Sequence, residues 1–167
     1  MNIKFLIALS FFVVLACNNK PNEVVTKDNS QELTEKEILK IKYTDYILDP
    51  RTEKAATDWN NYHQLYTTIE ELKKGNLGFF KDNEKAVALT FKELKENAPK
   101  TLNTKAIMAR ILALETKCHK LENTARLGTS TKQELLSDIT DVLIAFSNFN
   151  LQLNKKTEAD NNVIVRP

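Results

Sequence analysis

The amino-acid sequence predicts an all-α protein, folded as an up-down-up-down antiparallel four-helix bundle. Three observations carry this reading. The 167 residues include only three glycines and four prolines, well below the roughly 7% and 5% usual in proteins, which disfavours turn-rich sheets and glycine-dependent nucleotide folds. Four segments place apolar residues at alternating spacings of three and four, the seam of helices packed on near-parallel or antiparallel neighbours. Prolines and glycines fall between those segments and never inside them, so seam and punctuation agree. Short connections between the segments then imply antiparallel neighbours.

Length and composition (42% hydrophobic, 28% charged) suit one globular domain. A formal net charge of +2 argues against a nucleic-acid binder, which carries a strongly basic face. Two cysteines cannot build a disulfide scaffold.

Residues 1–16 are a signal peptide in this reading. Lys4 supplies a positive start, and Phe5 to Leu15 form an apolar run broken only by Ser10. The run is too short to span a bilayer, which takes about 20 residues, and has the anatomy of a secretory signal. It ends in Val14-Leu15-Ala16-Cys17, which resembles the bacterial lipobox. That resemblance implies cleavage before Cys17, a diacylglycerol thioether on its sulfur and, in many Gram-negative bacteria, a third acyl chain on its amine. Two or three chains suffice for stable anchoring, each buried methylene contributing roughly 0.8 kcal/mol. In the enteric sorting rule, an aspartate after the cysteine retains a lipoprotein at the inner membrane; Asn18 implies the outer membrane instead.

Residues 17–31 read as the lipidated cysteine and a flexible tether, too polar to offset their ordering entropy. Residues 32–49 alternate less cleanly, and Ile41 and Tyr43 between lysines predict a short helical turn followed by an extended strap. Asp49-Pro50 is a helix start, with the carboxylate at the N-cap and proline at the first helical position. The bundle proper is expected over 50–154. Its first helix carries Ala55, Trp59, Tyr62, Tyr66 and Ile69, with Leu65 and Leu72 widening the stripe, and stops at the turn residues Gly75, Asn76 and Gly78. The second carries Val87, Phe91, Leu94 and Ala98, with Phe79 and Phe80 before it and Pro99 after it. The third runs Ile107, Ile111, Leu114, Cys118, Leu121 and Ala125 to Gly128. The fourth starts with Ser130 and Gln133 at capping-box spacing and carries Leu135, Ile139, Val142, Phe146, Phe149 and Leu153. Residues 155–167 are expected to form a polar tail, with Val163-Ile164-Val165 either docked or loose.

Few residues are candidates for chemistry. Cys118 sits on the third seam and reads as a small buried hydrophobe, since a reactive thiol needs an electropositive, accessible setting. His119 has Glu115 four residues before and Glu122 three after, on one helix face. Such a face could hold a divalent cation, but the spacing lacks the paired Glu-x-x-His of di-iron bundles, so ion pairing at the surface is the expected reading. His63, at the edge of the Trp59, Tyr62 and Tyr66 stripe, belongs to packing before it belongs to a ligand platform. Arg110, off the seam, is expected to snorkel at the bundle edge. A phosphate-binding glycine loop, a G-x-S-x-G elbow and an H-E-x-x-H helix are absent from the sequence. The sequence therefore assigns no catalytic residue, no cofactor and no metal site.

Beyond the lipobox, Asp49-Pro50, the Gly75–Phe80 turn and the Pro99…Asn103-Thr104…Arg110…Leu114-Glu115-Thr116 stretch resemble small, uncharacterised helical lipoproteins of Bacteroidota-type bacteria. The resemblance implies an envelope location and a helical body, and carries over no active site. Two functions follow as expectations. The first is a non-catalytic protein-interaction or structural module, held to the membrane through Cys17 and meeting a protein partner the sequence does not name. The second is a small-ligand or metal-binding bundle using His119, Glu115, Glu122 or His63.

Overall fold

A computed structural model describes residues 33–82 and 85–162. The signal peptide, Cys17 with its tether, and Val163-Ile164-Val165 lie outside the described residues. Among those described, every regular element is helical: α1 (Glu35–Ile38), α2 (Pro50–Ala55), α3 (Asn60–Lys73), α4 (Gly78–Lys81), α5 (Ala86–Glu96), α6 (Lys105–Arg126) and α7 (Lys132–Asn161). The protein is all-α.

The two long helices form the largest contact, and α5 and α4 pack on α6 while α2 packs on α7. Polar pairs across α6 and α7 show that the two run antiparallel. Thr124 and Lys120 meet Asp138, and Lys117 meets Asp141 further from the connecting turn. The seam residues of both helices are buried, from Ile107 to Ala125 and from Leu135 to Leu153. Burial of each such side chain stabilises the fold by roughly 1.5–3 kcal/mol before entropy is counted. Phe149 lies at the centre with Trp59 edge-on to it, ring centroids 6.0 Å apart and planes at 85°, a favoured aromatic geometry.

The segment expected as one helix from Pro50 is broken. Asp49 caps α2 through the amides of Arg51 and Thr52, but the helix ends at Ala55 and α3 starts after Trp59. The break has two supports. It turns the Trp59 indole fully into the core, where Nε1–H donates to the Leu94 carbonyl at 3.1 Å. It also lets His63 reach back to the carbonyls that end α2. The seam of α3 consequently runs Tyr62, Leu65, Ile69 and Leu72, and Tyr66, expected on it, is 40% exposed.

Three boundaries also differ from the sequence reading. The cap of α7 is Thr131 with Glu134, each side chain bonding the other's main chain, rather than Ser130 with Gln133. Ser130 instead donates its hydroxyl to the Thr124 carbonyl near the end of α6. Gly78 opens the single turn α4 instead of serving as a left-handed cap. Finally, α7 continues beyond Asn154 to Asn161, because Thr157 is buried and its hydroxyl bonds the Leu153 carbonyl one turn back.

Gly75 is the position where a glycine is required. Its φ is +92°, and a Cβ there would lie 2.8 Å from the main-chain oxygen of Leu33. Gly128 faces open space with no such φ. Gly75→Ala is expected to destabilise the fold by about 1–3 kcal/mol, from backbone strain. Gly128→Ala is expected to be neutral or to stabilise by up to about 1 kcal/mol through the unfolded chain. Urea denaturation of both variants checks the contrast.

Candidate functional site

Of the side chains singled out on α6, His119 and Glu122 meet, whereas Glu115 turns away. Glu115 turns toward α5, where both its oxygens accept from Lys95 Nζ, at 2.9 and 3.1 Å. His119 Nδ1 donates to Glu122 Oε2 at 3.0 Å, with the imidazole part exposed and the carboxylate buried. The other Glu122 oxygen, Oε1, is buried without a hydrogen-bond partner, an arrangement that costs about 1–3 kcal/mol. Cys118 beside them is 1% exposed. Burial pushes its thiol well above the ordinary range, and the carboxylates of Glu115 and Glu122 add to the shift, so it is held as a thiol. Arg110 lines a shallow surface hollow with Lys117 and Asp141. Among the described residues, no three His, Cys, Asp or Glu side chains are grouped as a metal ion requires.

His63 sits elsewhere, on the wall of a groove of about 660 Å³ between the strap, α2 and α3. Its Nε2 lies 3.1 Å from the Ala56 carbonyl and 3.2 Å from that of Thr57. Carbonyls only accept, so Nε2 is the donor in both contacts. Around it stand Ile47, Leu48 and Pro50, the carboxylate of Glu53, and the rings of Tyr62 and Tyr66. Ile47 is 70% exposed, so the groove has an apolar rim open to solvent. Tyr62 forms its buried floor and donates its hydroxyl to Asn150 Oδ1 at 3.0 Å; burial raises its phenol far above the ordinary value.

The strap that walls this groove is held by α7. Residues 42–49 form no helix, turn or bend, and among the described residues no strand stands beside them, so their main-chain groups need side-chain partners. Ser147 Oγ accepts from Tyr46 N–H at 2.9 Å and donates to the Thr44 carbonyl. Asn150 Nδ2 donates to the Tyr46 carbonyl at 2.9 Å. Asn154 receives the Asp49 N–H at 3.0 Å and donates to the Ile47 carbonyl at 2.8 Å. Asn150 therefore joins strap, α3 and α7 through one amide. The strap's start is pinned by α1, whose Ile38 is buried and whose Glu37 meets Lys132 Nζ at 3.0 Å. Asp45 adds an ion pair to Lys73 at 2.8 Å.

Ser147, Asn150 and Asn154 were not singled out by the sequence reading, which stopped at the apolar seam beside them. The signal was present. These three residues repeat at spacings of three and four, a polar stripe one position from Phe146, Phe149 and Leu153. Ser147 and Asn150 are 2% and 1% exposed, and polar groups so deeply placed need partners.

Two measurements test this anchoring. Ser147→Ala leaves the Tyr46 amide and Thr44 carbonyl without their partner and is expected to destabilise by about 1 kcal/mol. Amide exchange of Tyr46 should accelerate, while the amides of the α6–α7 core keep their rates. The second measurement is pH dependence. The Thr34 N–H, then the Lys132 ammonium, hold the Glu37 carboxyl at about 2, below its ordinary 4.5. A depressed carboxyl contributes stability above its unfolded value and loses it as pH falls through the folded one. Urea midpoints of the native chain and Glu37→Gln should therefore converge as pH drops from about 4.5 to about 2. No protein-family model, curated protein or solved structure matches this chain.

Proposed function

We propose that this protein is a lipid-anchored lipoprotein of the bacterial cell envelope, acting as a non-catalytic protein-interaction or structural module. The observation that carries the reading is Cys17, placed directly after an apolar run of signal-peptide length in the lipobox-like Val14-Leu15-Ala16-Cys17. Acyl chains on Cys17 are the membrane attachment. Among the described residues no helix is long and apolar enough to cross a membrane. Asn18 directs the anchored protein to the outer membrane by the sorting resemblance. In this reading the four seam-bearing segments form an up-down-up-down body, and the tether of residues 17–31 holds that body off the bilayer.

The partner-facing surface is the rim of the groove, where Ile47 and Tyr66 stay exposed beside Tyr46. Aromatic and aliphatic side chains grouped at a surface are the material of interface anchors. A second reading, a small-ligand binder, is favoured by the groove itself. Its volume lies in the range of ligand sites, roughly 300–1,000 Å³, and it combines apolar walls with His63 and Glu53.

The expected result in a bacterial host is incorporation of labelled palmitate and recovery in the membrane fraction. Cys17→Ser should abolish both while leaving the helical circular dichroism unchanged. Labelling that survives Cys17→Ser overturns the anchor. Native mass spectrometry of the purified chain separates the two readings, because a stoichiometric added mass lost in Tyr66→Ala favours the ligand.

A further inference from the structure

One face of the α6–α7 pair carries cations around an aliphatic surface. Two shallow hollows open there, of about 300 and 350 Å³, and they share Ile144 and Asn148 of α7 as a common wall. Arg110 and Lys117 of α6 border the first, while Lys42 and Tyr46 of the strap border the second. Ile144 is 40% exposed and Tyr46 39%, so an aliphatic and an aromatic side chain stand uncovered between the positive charges. Asp141 is the one carboxylate among the described residues that line the two hollows, and Lys117 already holds it at 2.8 Å. Among the described residues no carboxylate pairs with Lys42 or Arg110. Two uncompensated cations thus share one face of a chain whose whole formal net charge is +2.

We propose that this face rests on an anionic lipid surface, with Arg110 and Lys42 at the headgroup phosphates and Ile144 and Tyr46 in the interfacial layer. Charge complementarity and composition both favour that occupant. Aromatic and aliphatic side chains settle at headgroup depth, and long cationic side chains reach past them to the phosphates. Shallow hollows of this kind lack the deep pocket in which a protein partner seats an anchoring side chain. The choice of a bilayer also rests on the anchored reading above. A chain the length of residues 17–31 spans about 20 Å on average when unstructured, so acyl chains on Cys17 keep the body beside the membrane. A weak contact then suffices, and each cation close to an anionic bilayer favours it roughly fivefold. The groove of His63 shares no lining residue with this face, so docking is compatible with a groove left open to a partner.

Lysine footprinting tests the contact. The chain purified from the bacterial host is mixed with vesicles of phosphatidylcholine alone, or of phosphatidylcholine and phosphatidylglycerol in equal parts. Exposed lysines are then acetylated with a membrane-impermeant reagent. Lys42 on the face and Lys54 on the groove are both exposed and serve as reporter and control. Lys42 is expected to react about fivefold more slowly on the anionic vesicles than on the neutral ones, with Lys54 unchanged. Salt at about 1 M, where screening shortens to about 3 Å, should restore its reactivity. Arg110→Glu and, separately, Ile144→Ser should remove the protection while the helical circular dichroism stays the same. Equal reactivity of Lys42 on both vesicles overturns the proposal, and so does protection that survives Arg110→Glu. If polyglutamate slows Lys42 where anionic vesicles do not, the face belongs to an acidic protein and the proposal fails. Co-sedimentation with the neutral vesicles reads the anchor separately. A chain that fails to co-sediment there, yet shows Lys42 protected on anionic vesicles, overturns the anchor and supports the docking face. A chain that co-sediments with both vesicles while Lys42 stays fully reactive overturns the docking face alone.

Discussion

An extended segment laid on helices has no strand beside it, and its peptide groups cannot be covered without partners. That constraint organises this protein. The strap crosses α7 with its main chain turned to the helix, so α7 presents hydroxyl and amide groups there while remaining apolar one position away. Asn150 is the hinge of the arrangement. Its amide bonds the Tyr46 carbonyl on one side and the Tyr62 hydroxyl on the other, fixing the strap, the groove floor and the long helix relative to each other. Tyr62 in turn packs on Phe146 and Phe149, so the polar contact and the aromatic core share one side chain.

The same economy governs the charges. Asp138, 3% exposed, is satisfied by the Thr124 hydroxyl and the Lys120 ammonium, which links α6 to α7 near their turn. Glu115 and Lys95 tie α5 to α6. Glu122 stands apart, with one oxygen held by His119 and the other buried alone. Breaking such a buried group is costly, while replacing it by an apolar side chain can be neutral. The helix face that looked able to hold a cation is therefore divided between two neighbours: Glu115 faces α5, and His119 faces its own turn.

Legibility in the sequence follows the physical range of each interaction. Seams were readable on α6 and α7 because 3.6-residue periodicity is local, and each of their expected seam residues is buried. The Asp49 cap was readable for the same reason. The break between α2 and α3 was not, because its causes lie far along the chain: Trp59 turns inward to reach the Leu94 carbonyl. Displacement of the α7 cap from Ser130 to Thr131 has a nearer cause, since the Ser130 hydroxyl is used at the Thr124 carbonyl six residues back. Residues after Asn154 looked like a tail because their polarity hides the buried Thr157.

By itself the sequence determined the all-helical class and the apolar faces of the long helices, which depend on spacing and on the scarcity of chain-breaking residues. It also carried the lipobox-like start that supports the proposed anchor. The ion pairing expected of His119 is met three residues on by Glu122, and only the tertiary structure decided where the strap runs and that Ser147, Asn150 and Asn154 hold it. Those outcomes depend on which surfaces meet across some hundred residues of chain, and no local pattern encodes that meeting. A polar residue near a seam states a need for a partner, and the fold alone supplies the partner's name.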